Sequence, residues 1–218
     1  MFDISTGRLF EVAIVLAVML LVAFPVHEFA HALAATRLGD STPRLMGRLT
    51  LDPRAHFDPA GAIILAVSMI AGFGIGWAKP TPYNPMNLQG GRWGEAIIAV
   101  AGPISNLVIA IAAAIPLRYI YATGMDVPFL AGVLQLLVVI NLLLMVFNLI
   151  PIPPLDGSKV LYAFLDPRTG WQVRATLEQY GLLILLAAMF LPIFGGNTLI
   201  GIVVSEVLFP LIRLLTGQ

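Results

Sequence analysis

Six long apolar runs, at roughly 9–36, 59–77, 94–117, 128–150, 176–192 and 197–215, constrain this chain more than anything else in it. A helix needs about 20 mostly apolar residues to cross about 30 Å of hydrocarbon, and little soluble sequence separates these runs. Hydrophobic residues make up 59% of the chain and charged residues 11%, against about a quarter charged in soluble domains. Such a chain cannot cover its own surface with polar groups in water, so its solvent is lipid. The expected fold is an all-α polytopic membrane protein with about five transmembrane helices, a re-entrant segment and a short β-hairpin. No run repeats another and no hydrophilic domain is appended, so one membrane-embedded domain is expected over 1–218.

The formal net charge is zero and no basic block is present, which excludes a nucleic-acid partner. There is no cysteine, so any metal must be held by nitrogen and oxygen. The opening MFDISTGRLFEVAIVLAVMLLVAF has the profile of a signal peptide. It runs straight on into polar residues without a small-residue cleavage site, and it is read as a retained membrane helix.

Not every run needs to cross. The run at 59–77 carries Gly61, Gly72, Gly74 and Gly76, and non-helical backbone at membrane depth is tolerated where protein or a water-filled cavity surrounds it. If this run returns to its own side, ten of the twelve Lys and Arg residues share that side. These are Arg37, Arg44, Arg48, Arg54, Lys79, Arg92, Lys159, Arg168, Arg174 and Arg213, with Arg8 and Arg118 opposite. If it crosses, the bias is lost. The positive-inside rule therefore favours a re-entrant segment and makes the crowded side cytoplasmic. Gly195-Gly196-Asn197 is expected to form a tight turn between the last two runs.

The chemistry concentrates in His27-Glu28-Phe29-Ala30-His31. Residues four apart on a helix share a face, so both imidazoles can reach one metal ion, and Glu28 beside them can take a proton from metal-bound water. The plainer reading, histidines ending a helix at headgroup level, leaves the register of three rare residues unexplained. A catalytic zinc site needs a third protein ligand and an open position for water. Asp156, in Asn148-Leu149-Ile150-Pro151-Ile152-Pro153-Pro154-Leu155-Asp156-Gly157, and His56, in a loop, are the candidates. On turn chemistry alone Asp156 could equally be an ordinary turn aspartate, with Gly157 letting the chain turn beside it. Ligands of one ion must share one depth, so the helix ending near His31 and the helix ending before Asp156 should run parallel. That needs one of the two intervening runs not to cross.

HEFAH in the first helix, AGPISN at 101–106 and NLIPIPPLDG at 148–157 resemble the site-2 protease family of intramembrane zinc metalloproteases. GRLTLDPRAHFDPAG and GWAKPTPYNP are similar to a compact bacterial branch without an accessory peptide-binding domain. The resemblance covers roughly residues 20–160. It implies zinc as cofactor, His27, His31 and Asp156 as its ligands, and Glu28 as catalytic acid and base. It also implies Asn148 as a group that helps hold the substrate or its oxyanion. The implied substrates are single-span membrane proteins in a bacterial or archaeal cell membrane, cut by a site toward the cytoplasm. One departure is that about eight residues precede the first helix, where such proteins often carry another helix.

The rival reading is a metal-ion or proton transporter using the same His and Glu groups. It does not account for the water-activating place of Glu28 together with a distant third ligand. Among the remaining polar residues, Asn106 is read first as a packing residue, with a hydrogen bond to a neighbouring helix or to a metal ligand as the alternative. Glu206 stands in an apolar run without an assigned role. Residues 45–51 alternate as a strand would, with an edge that an unwound substrate could pair with.

Overall fold

The computed structural model describes residues 6–71, 74–194 and 196–217. The first run forms one long helix in three parts: α1 (Thr6–Val18), a π-helical stretch at Met19–Ala23, and α2 (Phe24–Arg37). The C-terminal run repeats the pattern, with α10 (Leu199–Val203), a π-helical stretch at Val204–Leu208 and α11 (Phe209–Thr216). Each π stretch is followed by a Phe-Pro pair, Phe24-Pro25 and Phe209-Pro210. A proline inside a helix removes a donor and crowds the carbonyl four residues back. One wider turn relieves that crowding without ending the helix.

Between α2 and the next long helix lie α3 (Thr42–Leu45), α4 (Pro53–His56) and α5 (Pro59–Ile70). The 12 residues of α5 reach about 18 Å at 1.5 Å per residue, too short to cross the hydrocarbon. The chain then doubles back along it. Gly74 takes φ +68°, a conformation that favours glycine. Ser68 Oγ donates to Ile75 O at 2.6 Å and accepts from Ile75 N at 2.7 Å. Gly61 lies against Trp77 and Gly76 against Leu65, so closely that neither position has room for a β-carbon. Lys79 N reaches His56 O at 2.9 Å. The segment thus ends beside its own start, as a re-entrant segment must. Gly72 lies outside the described residues.

The remaining helices are α6 (Arg92–Thr123), α7 (Pro128–Asn148), α8 (Gly157–Phe164) and α9 (Pro167–Phe190). Five helices are long and apolar enough to cross a membrane: Leu9–Arg37, α6, α7, Arg168–Phe190 and Leu199–Thr216. One core joins α6 and α7 through Ala110, Ala113, Ala114, Leu117, Val138 and Leu142, and α10–α11 adds Leu208 to it. Another joins the first helix, α5 and α7 through Met19, Phe24, Leu65 and Ile140. Helix α6 runs opposite to both α2 and α7, so α2 and α7 are parallel, as a shared ligand depth requires.

Two expectations change. Residues 45–51 form no strand. Arg48 points inward and spends its guanidinium on the carbonyls of Ala55 and Lys79, so the stretch is tied into a loop instead of offering an edge. Among the described residues the only sheet is a short antiparallel pair, β1 (Pro192–Phe194) and β2 (Asn197–Thr198). It flanks the expected turn, of which Gly195 lies outside the described residues.

The second change concerns Arg213. Helix α9 starts at the Arg92 end, where Arg92 donates to Leu165 O, and its Gly181 packs against Pro153. Helix α11 ends with Gly217 against the Arg118 guanidinium, near the other end of α6. The two C-terminal runs therefore make one net crossing, not two, and Arg213 joins Arg8 and Arg118. The division becomes nine against three.

Candidate active site

Apolar helices α2 and α6 bury two imidazoles between them because α6 gives up volume at the crossing. A β-carbon at Gly102 would collide with the facing nitrogens of both His27 and His31. On the same face of α6 the Ile98 carbonyl accepts from His31 Nδ1 at 2.7 Å. One turn beyond Gly102, Asn106 Oδ1 accepts from His27 Nδ1 at 2.6 Å.

The direction of these bonds is fixed at a backbone carbonyl. Leu137 O can only accept, so Asn141 directs its Nδ2 there at 2.8 Å and presents Oδ1 to Asn106 Nδ2 at 2.9 Å. Asn106 is then left with its oxygen facing His27. Both Nδ1 atoms carry protons, and both Nε2 atoms present bare lone pairs. Asn106 and Asn141 are fully buried. Asn106 does more than pack, since it holds the tautomer and tilt of His27, as partners of metal-ligating histidines commonly do.

The two Nε2 atoms lie 2.9 Å apart. Asp156 Oδ2 lies 3.2 Å from His27 Nε2 and 3.1 Å from His31 Nε2. Asp156 reaches them from the loop after α7, which three prolines hold out of helical geometry. It stands at the N-cap of α8 without capping it, so its carboxylate is free to face the imidazoles. Lys159 Nζ lies 3.4 Å from its other oxygen. Gly157 acts through space and not through an unusual φ, because a β-carbon there would strike the Leu149 and Ile150 carbonyls. Two imidazole nitrogens and a carboxylate oxygen, all buried, converge here, an arrangement that a bound cation makes favourable. Bond lengths of about 2.0–2.2 Å in a tetrahedral zinc site put ligand atoms about 3.3 Å apart, close to the separations here. The donor set fits zinc.

Glu28 is buried beside this group. Its Oε2 accepts from Thr81 N at 2.7 Å, and its backbone carbonyl accepts from Thr81 Oγ1 at 3.0 Å. Asn148 is the last residue of α7 and donates to Leu144 O at 3.0 Å, which leaves its amide a second N–H. His56 is buried in the loop, donates Nε2–H to Thr50 O at 2.8 Å, and is not among the converging ligands. Reading the sequence alone missed Gly102, Asn141 and Thr81. Asn141 was open to discovery as an amide in an apolar helix, whereas Gly102 and Thr81 carry no signal without the fold.

A model of "Peptidase family M50" matches residues 116–192, which include Asn148 and Asp156. "Putative zinc metalloprotease YwhC" of Bacillus subtilis is 37% identical over 184 residues, 82% of this chain and 81% of its own length. "Putative zinc metalloprotease Rip2" of Mycolicibacterium smegmatis is 33% identical over 172 residues, 79% of this chain and 65% of its own length. Rip2 of Mycobacterium tuberculosis is 33% identical over 177 residues, 81% of this chain and 66% of its own. This chain thus spans about two thirds of the Rip2 proteins. No solved structure matches it. With relatives aligned over most of its length, the chain belongs to peptidase family M50, the site-2 protease family, and is a zinc metalloprotease of that type.

Proposed function

We propose that this protease hydrolyses peptide bonds within or near the transmembrane segments of single-span membrane proteins. His27, His31 and Asp156 hold the zinc. The observation that carries this reading is depth. His27 and His31 stand ten and six residues before Arg37, the end of their apolar helix, or about 15 and 9 Å along it. A site there meets segments that lie in lipid. A metal-ion or proton transporter is not favoured, because the relatives are named as proteases.

Zinc held by this group would supply a Lewis acid that acidifies water and polarises a peptide carbonyl. Glu28 takes the proton from the attacking water and returns it to the leaving nitrogen. The free N–H of Asn148 donates to the oxygen on which negative charge develops. Glu28→Gln keeps the shape of the side chain but cannot accept the proton. This variant should retain zinc and the fold while losing about 10²–10⁴-fold in cleavage. Turnover within about tenfold of wild type, a barrier change of only about 1.4 kcal/mol, would assign the proton to another group.

The end of the molecule that holds the site faces the cytoplasm on this reading, supported by nine of twelve Lys and Arg residues at that end. Single cysteines near 46, 84, 122, 168 and 216 of this cysteine-free chain test it with an impermeant thiol reagent on intact cells. Those near 122 and 216 should react. Reaction at 84 would show that 59–77 crosses.

A further inference from the structure

Residues 79–84 read Lys-Pro-Thr-Pro-Tyr-Asn. They run in extended form past the buried face of α2. Proline has no N–H, so Pro80 and Pro82 strip the backbone donors on either side of Thr81. The residue before a proline is also steered away from helical geometry, which holds Thr81 extended. Three N–H groups of this stretch reach separate partners. Lys79 N goes to His56 O at 2.9 Å, Thr81 N to Glu28 Oε2 at 2.7 Å, and Asn84 N to Asp40 Oδ2 at 2.7 Å. Two anchors fix the ends of the stretch, and between them the Thr81 N–H, flanked by two prolines, meets the carboxylate beside the metal ligands. The Thr81 hydroxyl closes a second bond to the Glu28 carbonyl.

We infer that Thr81 is the positioning residue for Glu28, and that the Pro80-Thr81-Pro82 unit makes the returning arm of the re-entrant segment part of the catalytic machinery. This rests on Glu28 being the proton acceptor. A carboxylate has two oxygens and two free torsions near its end. Binding Oε2 to a backbone N–H fixes the carboxylate plane and leaves Oε1 for the proton transfer. Thr81 is not among the converging ligand residues, and both of its bonds run to Glu28. Loss of the restraint should therefore lower turnover and leave substrate binding in place.

Three substitutions separate the bonds. Thr81→Pro removes both the N–H and the hydroxyl, Thr81→Val removes the hydroxyl alone, and Thr81→Ser keeps both. With a single-span membrane protein carrying a quenched fluorophore beside its transmembrane segment as substrate in detergent, Thr81→Pro should lower kcat about 10²-fold, the scale of a 1 Å misplacement. KM should stay within about threefold, and bound zinc should stay at the wild-type ratio. Thr81→Val should lose about tenfold or less, and Thr81→Ser should recover wild-type turnover. A direct readout needs no turnover: the Thr81 amide in 15N-threonine-labelled protein should exchange slowly in wild type and at least tenfold faster in Glu28→Ala. Equal exchange in the two proteins, or wild-type kcat in both Thr81→Val and Thr81→Pro, overturns the inference. If Glu28→Gln itself cleaves normally, the role given to Glu28 fails first. Glu28→Gln inactive with Thr81 variants unaffected would overturn this inference alone.

Discussion

The polar residues of α2, α6 and α7 and those of α9–α11 obey opposite rules. In α6, 44% of the most apolar stretch is buried, and in the C-terminal helix 11%. In the well-buried region His27, His31, Asn106 and Asn141 each have a named partner. The chain of bonds begins at the Leu137 carbonyl and ends at the Nδ1–H of His27. The poorly buried region carries Glu206, which is exposed and within 3.2 Å of Ser205, and nothing leads from it to the site. A polar group inside a membrane helix is costly wherever it sits. It specifies chemistry only when a fixed partner sets the direction of its hydrogen bonds.

The difference between the regions can be broken by substitution. Replacing Asn106 with Leu frees the His27 ring to rotate and to take the wrong tautomer. Zinc affinity should fall about 10–100-fold, measured by competition with a chelator. Glu206→Leu should leave zinc affinity unchanged. Wild-type affinity in Asn106→Leu would remove the relay from the site. A loss in Glu206→Leu would erase the distinction between the regions.

A smaller effect is expected at the membrane edge, where Asp40 ties α2 to the arm that carries Thr81. Burial opposes its charge. Hydrogen bonds from the Thr42 hydroxyl and amide, the Asn84 amide and the Asn87 side chain outweigh that, and hold its carboxyl below the usual range. A carboxyl lowered on folding adds stability above its unfolded value, about 3.9, and that stability is lost as pH falls through the folded value. Protection of the Asn84 amide, corrected for intrinsic exchange, should be level from neutral pH to about pH 4 and decline below. Asp40→Asn should show weaker protection and no such decline. An unchanged decline in Asp40→Asn would assign it to another group.

Much of this was legible before the fold. Helix lengths follow from apolar runs, and HEFAH announces itself because helical spacing alone brings His27 and His31 together. Asp156 became credible by topology, since parallel helices and the charge division both required 59–77 to turn back. Three features were not legible, for physical reasons. The alternation at 45–51 suggested a strand, but Arg48 found carbonyls across the loop and a strand lacks stability without a partner. The C-terminal runs each have the composition to cross, and composition does not say that one starts and ends at the same end. Thr81 reads as any loop threonine until the re-entrant segment carries it to Glu28.

The most direct test of the account is zinc content and coordination in purified protein. X-ray absorption should find one zinc per chain in wild type, with nitrogen and oxygen neighbours at about 2.0–2.2 Å. Asp156→Ala and His31→Ala, if folded by circular dichroism, should each lose the tightly held ion. A folded Asp156→Ala protein that keeps one zinc with wild-type affinity would contradict the assignment of Asp156, and with it the shared depth of α2 and α7 on which the site is built.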